Sequence, residues 1–240
     1  MKTKLFATLS IAAATALVSL SLPAQAASLY AGESFGNGGI KFIENTKVDF
    51  TFNESHGSYT STVKIFEVGA NNQLTLIKNV FGESKQSDNG SANGWLGTCG
   101  NTVLVCTNSY TFEASKTYTL GLDSGGSGIV YSTKALNPFA IGGTQQAVFN
   151  SFGSLGQADG TIYSAANEAQ YQSGDPLANF VKIGFDDRGN SNDKDFQDVT
   201  LRASASRVAA SVPEPTTLAG LALAGTALVF SRRRRTRAIG

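Results

Sequence analysis

The sequence predicts an all-β fold, an antiparallel β-sandwich of jelly-roll-like form, flanked by two terminal segments that are separate from the body. Short runs alternate apolar and polar side chains with the period of a strand. Polar turn signals separate these runs. Only 15% of the 240 residues are charged, and glycine is abundant at 26 residues. Each strand of this kind has one apolar face, and two packed sheets bury such faces together.

The predicted strands can be followed along the chain. Val48, Phe50 and Phe52 alternate with Asp49 and Thr51, as in a half-buried strand. Turns rich in glycine, asparagine and aspartate separate several of the runs, because these residues favour turn conformations. Comparable runs occur at residues 59–68, 73–80, 108–112, 118–122, 181–185 and 199–201.

The remaining body consists of connections and one predicted helix. A short helix is expected at residues 165–171, and residues 81–97 are expected to form a long surface loop whose Trp95 folds back onto the core. The body at residues 27–202 is long enough for one β-sandwich domain. Residues 203–211 are small and polar, which is typical of a flexible linker.

The N-terminal segment has the order of a secretory signal peptide. Lys2 and Lys4 precede an uncharged stretch at residues 5–22, and small residues follow up to Ala26. A basic start, an apolar run and a small-residue site are the three parts that such a signal needs. We therefore expect residues 1–26 to be removed by cleavage after Ala26.

The C-terminal segment predicts a short transmembrane helix. An uncharged run at residues 218–230 lies between a Pro-Glu-Pro and a block of arginines. A helix over residues 216–230 spans about 22 Å, whereas a hydrocarbon core is about 30 Å thick. Basic flanks stay on the cytoplasmic side, so the body is expected outside. The flanking residues are Pro213, Glu214 and Pro215 on one side, and Arg232, Arg233, Arg234 and Arg235 on the other.

These three parts, in this order at residues 212–237, resemble a PEP-CTERM sorting segment. The resemblance implies a Gram-negative cell in which the membrane protease exosortase processes the tail near the Pro-Glu-Pro. It also implies export by the secretion machinery, transient anchoring in the inner membrane, and a final place at the cell surface or outside the cell. Such systems commonly accompany exopolysaccharide, which is therefore an expected partner. A removable apolar tail acts as a delivery signal in the same way in lipid-anchored proteins.

The charge of the body differs from that of the whole chain. Removal of both terminal segments takes away seven of the 19 basic residues and one of the 18 acidic ones, which leaves a net charge of about −5. Nucleic-acid-binding proteins carry basic surfaces. The sequence therefore predicts no nucleic-acid partner.

Cys99 and Cys106 are the only two cysteines of the chain. In an exported protein they are expected to form a disulfide, and two thiols are too few for a structural zinc site. A free or reactive thiol is the alternative. Because the loop between them is short, a disulfide here stabilises the fold by about 2 to 3 kcal/mol.

No motif predicts catalysis. His56 is the sole histidine, and its position between two predicted strands indicates an exposed turn residue. A hydrolase triad needs a histidine paired with an activated nucleophile, and no Gly-x-Ser-x-Gly accompanies it. We assign no catalytic residue and expect no enzyme. Paired carboxylates for glycoside hydrolysis stay open, because such residues meet only in the folded chain.

Residues 184–203 contain a dense group of aspartates. Ca²⁺ takes about six to eight oxygen ligands of this type, although the spacing does not fit an EF-hand loop. A solvated hairpin is the alternative, because aspartate and asparagine are also turn residues. The candidate calcium ligands are Asp186, Asp187, Asp193, Asp195 and Asp198.

Part of this group resembles the closing motif of an uncharacterised β-rich domain found in bacterial surface proteins. Phe185-Asp186-Asp187 and the run at residues 193–199 carry the resemblance, with Asp186 in place of the usual glutamate and Gln197 in place of asparagine. The resemblance implies that the acidic residues bind Ca²⁺. No other cofactor is expected.

Three functions follow from these observations. The leading interpretation is a non-catalytic, exosortase-sorted surface or extracellular-matrix protein that calcium stabilises. The first alternative is a carbohydrate-binding module, in which aromatic rings stack on sugars. The second is a secreted polysaccharide hydrolase that uses dispersed carboxylates. The aromatic residues available for stacking are Trp95, Tyr30, Tyr163 and Tyr171.

Overall fold

The structure is a computed structural model that describes residues 28–57, 59–84, 97–137, 145–150, 171–187 and 196–208. Within these ranges the regular elements are strands and short 3₁₀ helices. The 3₁₀ helices span Ala70–Asn72, Gly125–Ser127 and Lys134–Leu136. The strands are β1 (Ser34–Gly36), β2 (Gly39–Lys41), β3 (Thr46–Ser55), β4 (Thr62–Val68), β5 (Leu74–Gly82), β6 (Gly97–Thr98), β7 (Thr107–Phe112), β8 (Thr117–Asp123), β9 (Ile129–Tyr131), β10 (Ala147–Asn150), β11 (Val181–Phe185) and β12 (Val199–Arg207).

The described strands form two antiparallel sheets of six strands each. The first sheet has the order β1-β2-β8-β4-β5, and β9 also pairs with β8. The second sheet has the order β10-β11-β12-β3-β6, and β7 also pairs with β3. The arrangement confirms the predicted all-β antiparallel class. The jelly-roll-like form stays a prediction.

Strand β3 shows why the sequence folds in this way. Val48, Phe50 and Phe52 are buried, whereas Lys47 and Asp49 are exposed. Side chains alternate across a strand, so one face of β3 supplies the core and the other faces solvent. The predicted runs that correspond to β4, β5, β7, β8, β11 and β12 also form strands.

The core lies between the two sheets and is rich in aromatic rings. Phe112 of the second sheet contacts Tyr118 of the first, with ring centroids 5.0 Å apart and planes at 85°. Phe35 and Phe149 meet in the same way at 5.7 Å and 88°. Edge-to-face contacts of this type are favoured by the charge distribution of the rings. One hydrophobic cluster therefore joins both sheets, as in a β-sandwich.

A segment at residues 171–174 connects the edges of the two sheets on one side. The amide of Phe149 in β10 donates to the carbonyl of Tyr171, and the amide of Asn37 next to β1 donates to the carbonyl of Gln172, both at 2.8 Å. Gly36 permits this close approach, because a Cβ there would lie 2.3 Å from the Gln172 carbonyl oxygen. The segment thereby satisfies backbone groups that edge strands leave unpaired.

Side-chain hydrogen bonds connect the sheets on the opposite side, between β5 and β7. The Lys78 ammonium donates to the Ser109 carbonyl at 2.7 Å. The Asn108 amide donates to the Val80 carbonyl at 2.9 Å. These bonds hold the edge strand β5 against the second sheet.

The predicted start of the linker at residue 203 is wrong, because β12 continues to Arg207. Small residues fit this position: Ala203 pairs with Phe50 and Ala205 pairs with Val48, where bulky core side chains need space. Arg207 then donates to both carboxylate oxygens of Glu33 at 2.6 Å, in the bidentate geometry that guanidinium and carboxylate favour. The rest of the predicted linker after Val208 lies outside the described residues.

Several predictions fall outside the described residues. They concern the signal peptide, residues 165–170 of the predicted helix, Trp95 and the C-terminal transmembrane helix. In the part of the chain that the structure describes, no helix is long and apolar enough to span a bilayer.

Candidate metal centre

The candidate site lies at the end of the second sheet where β11 and β12 are joined. Asp186 and Asp187 directly follow β11, and Asp198 directly precedes β12. Phe185 and Val199 are paired in the antiparallel register, so residues on either side of the connecting loop meet at the same end. We call Asp186, Asp187 and Asp198 the acidic cluster.

The acidic cluster is compact and buried. One carboxylate oxygen from each aspartate lies within 4.8 Å of the others. The three residues are 0%, 2% and 6% exposed in chain order. The Asp187 amide donates to the Asp198 carboxylate at 2.6 Å, which fixes the orientation of that side chain. Like charges so close together in a buried position are costly unless hydrogen bonds or a cation compensate them.

The turn after β3 packs directly against the acidic cluster. The amides of His56 and Gly57 donate to the Asp198 carbonyl at 3.1 and 3.2 Å. A Cβ at Gly57 would lie 2.8 Å from the Asp187 Oδ2 atom and 2.9 Å from the Asp198 Cβ atom. Only glycine fits without displacement of these aspartates.

The prediction that His56 is an exposed turn residue is wrong. His56 is partly buried, and neither ring nitrogen is accessible or hydrogen-bonded to a described atom. The reason is that the turn after β3 lies against the Gln197 and Asp198 backbone, to which the His56 amide donates. Sequence spacing carries no information on the contact between residues that are about 140 positions apart. The pattern of residues 53–57 therefore indicated a solvated turn.

Another partly buried carboxylate, Glu83, belongs to the first sheet's side of the sandwich. Glu83 follows β5, and its Oε2 atom accepts from the Ser61 amide at 2.7 Å. Burial raises the pKa of Glu83 to about 7; the hydroxyl of Ser55 and the Ser61 amide oppose this shift, and the charge of Asp187 adds to it. No sequence signal pointed to Glu83, because it lies more than 100 positions from the aspartates.

A β-bulge in β3 turns Ser55 towards this region. Phe52 pairs with Leu201 and Glu54 pairs with Thr200, so Asn53 is an extra residue on β3. The insertion changes which face the following residues occupy, and Ser55 becomes fully buried instead of continuing the exposed face. The strict alternation that the sequence predicts therefore ends at Phe52.

Of the five predicted calcium ligands, the structure brings three together. Asp186, Asp187 and Asp198 converge, whereas Asp193 and Asp195 lie outside the described residues. The converging groups are hard oxygen donors, which suit Ca²⁺ better than zinc or other soft-ligand metals.

The predicted disulfide between Cys99 and Cys106 is present, with the two Cα atoms 5.4 Å apart. Its loop contacts both sheets. The Cys106 carbonyl accepts from the Phe52 amide at 2.9 Å, and the Thr102 carbonyl accepts from the Ser84 amide at 2.7 Å. The disulfide therefore holds a loop that connects the sheets near the candidate site.

The described aromatic residues proposed for sugar stacking make other contacts. The Tyr30 ring lies 4.3 Å from the Arg207 guanidinium carbon. Tyr171 packs against Val148 and Phe196 in a second hydrophobic cluster. Trp95 and Tyr163 lie outside the described residues.

Comparison with known proteins identifies the C-terminal segment. Residues 211–235 match the PEP-CTERM protein-sorting motif, which confirms the resemblance of the Pro-Glu-Pro, apolar run and arginines. The motif implies an exported protein that exosortase sorts to the cell surface. No curated protein and no solved structure matches the chain.

Proposed function

We propose that this chain is a non-catalytic surface or extracellular-matrix protein whose β-sandwich is stabilised by Ca²⁺ at the acidic cluster. The observation that carries the proposal is the burial of three aspartates within 4.8 Å of one another in a protein with an export tail. Calcium is available outside the cell, and its preferred ligands are carboxylate oxygens. A bound cation would offset the repulsion among the three charges.

Strand β12 separates the acidic cluster from the start of the C-terminal segment. Strand β12 runs from Val199, next to the acidic cluster, to Arg207, beyond which the chain leads to the sorting motif. Nine extended residues span about 26 Å between their first and last Cα atoms. The acidic cluster and the last described residue before the sorting motif are therefore at opposite ends of β12.

Calcium titration of the exported protein by calorimetry tests the metal assignment. We expect saturable binding that is lost in Asp187→Asn, because one charged ligand is replaced by a neutral one. Asp49→Asn is the matched control, since Asp49 is an exposed aspartate paired with Lys47 at 2.6 Å. Heat of binding that is equal in all three proteins would contradict the assignment.

Mass measurement after expression with its exosortase tests the sorting assignment. The mature protein should lack residues 1–26 and the apolar tail. Recovery of the full tail on surface-exposed protein would contradict the proposed processing.

A further inference from the structure

We infer that the end of the sandwich at which both terminal segments join the body rests on the lipid surface through exposed apolar side chains. The inference rests on the proposed sorting through the inner membrane and extends it to the body of the protein. Tyr30, Ile43 and Val208 supply these side chains, and we call them the apolar patch. Each of the three is 45 to 47% exposed.

A single carboxylate brings the apolar patch together. The amides of Tyr30 and Ile43 donate to the two carboxylate oxygens of Glu33, at 2.8 and 2.7 Å. The Arg207 guanidinium donates to the same two oxygens, and Val208 directly follows Arg207. Residues from three separate parts of the sequence are therefore neighbours at one end of the fold.

The charged groups beneath the apolar patch neutralise each other. The Glu33 side chain is fully buried and the Arg207 side chain is 13% exposed, so the ion pair presents little charge to the surroundings. The Arg207 guanidinium carbon also lies 4.3 Å from the Tyr30 ring. Tyrosine is common at membrane interfaces, because its ring is apolar and its hydroxyl group is polar. The composition of the patch therefore suits contact with lipid.

Both apolar terminal segments join the body beside this patch. The Ser28 carbonyl accepts from the Arg207 guanidinium at 3.4 Å, so the two ends of the described chain meet. The apolar run of the signal peptide ends six positions before Ser28, and the uncharged run of the tail begins eleven positions after Arg207. Flexible chains of six and eleven residues span on average about 12 to 15 Å and about 17 to 20 Å. An inserted tail therefore keeps this end of the sandwich near the bilayer.

A second copy of the chain is the alternative cover for the apolar patch. Exposed apolar patches mark contacts with other proteins as well as with membranes. The attachment of the tail beside the patch favours lipid, because insertion of the tail brings these three side chains to the bilayer in every copy of the chain.

The test is the reaction of one added thiol with a membrane-impermeant maleimide. Ile43→Cys places this thiol in the apolar patch. Cys99 and Cys106 do not compete for the reagent, because they form a disulfide.

Gly126→Cys is the matched control at the opposite end of β8. Strand β8 begins at Thr117, which pairs with Lys41 close to Ile43, and ends at Asp123 close to Gly126. Its seven residues span about 20 Å. A Cβ at Gly126 has no heavy atom within 4 Å, so the added thiol is accessible and does not disturb the fold.

Each variant is measured in two forms. The first is the tail-bearing protein, exported in cells without exosortase and reconstituted in phosphatidylcholine vesicles. The second is the processed protein in solution. Zwitterionic lipid is used because Glu44, whose side chain is 54% exposed beside Arg207, would be repelled by anionic lipid.

We expect the Ile43→Cys thiol to react at least about tenfold more slowly in vesicles, because apolar groups at a lipid interface lie about 5 to 10 Å into the headgroup boundary, away from a water-soluble reagent. Gly126→Cys should react at the same rate in both forms. Val208→Asp added to Ile43→Cys introduces a charge into the patch and should restore fast reaction in vesicles.

Flotation of the vesicles separates this inference from the proposed sorting. If the tail-bearing protein floats with the vesicles but Ile43→Cys reacts as fast there as in the processed protein, the patch does not contact lipid and the anchored tail stands without it. If the tail-bearing protein does not float, insertion of the tail and contact of the patch are both wrong. Slow reaction of Ile43→Cys in a processed protein that sediments as a dimer would show that a second copy covers the patch instead.

Discussion

Replacement of Gly57 by alanine should destabilise the protein, because the added methyl group has no room. The new Cβ would lie 2.8 Å from the Asp187 Oδ2 atom and 2.9 Å from the Asp198 Cβ atom. Overpacking of this kind costs about 1 to 3 kcal/mol. For a domain of this size, 1 kcal/mol corresponds to about 2 to 4 °C in melting temperature. We therefore expect a decrease of roughly 2 to 12 °C, measured by circular dichroism on the exported protein.

Gly126→Ala is the matched control for this substitution. A Cβ at Gly126 has no heavy atom within 4 Å, so its melting temperature should stay the same or rise slightly as the unfolded chain loses freedom. Gly57→Ala should also weaken Ca²⁺ binding, because the methyl group displaces two of the aspartates. Equal melting temperatures for the two variants would refute the close packing of Gly57 against the acidic cluster.

Three further predictions concern other parts of the chain. Burial alone would raise the pKa of Glu33, but Arg207 and the amides of Ile43 and Tyr30 lower this pKa below 4.5. The stability that the ionised Glu33 contributes should therefore be complete above pH 4.5 and be lost as the pH falls further. Glu33→Gln should flatten this part of an acid denaturation curve. Cys99→Ser with Cys106→Ser should lower the free energy of unfolding by about 2 to 3 kcal/mol in denaturant titration, and an unchanged midpoint would show that the disulfide adds nothing. Glu214→Ala within the sorting motif should leave the tail uncleaved, as mass measurement would detect. Normal cleavage would mean that the protease does not recognise the Pro-Glu-Pro.

The strands with regular alternation were predictable because burial of one face leaves a period of two in the sequence. Val48, Phe50 and Phe52 illustrate this in β3. Short strands such as β1 and β6 have two or three residues, too few for a period to appear. The end of β12 was mistaken for a linker, because alanines opposite Phe50 and Val48 satisfy packing in the fold but appear as a small, polar stretch in the sequence.

The candidate site was predictable in part. Asp186, Asp187 and Asp198 are near one another in sequence, and the hairpin of β11 and β12 closes the remaining distance. The surroundings of Glu83 and Ser55 could not be found in this way, since Glu83 follows a strand of the other sheet and Ser55 turns inward only because of the bulge at Asn53. Contacts between sheets depend on the tertiary fold, which leaves no local pattern.

The most direct test of calcium stabilisation is the melting temperature of the exported protein in EDTA and in millimolar Ca²⁺. A ligand at 100 times its Kd stabilises the native state by about 2.7 kcal/mol, which corresponds to an increase of roughly 5 to 10 °C for a domain of this size. We expect this increase in wild type and its loss in Asp187→Asn. An identical melting temperature with and without Ca²⁺ would contradict the proposed site.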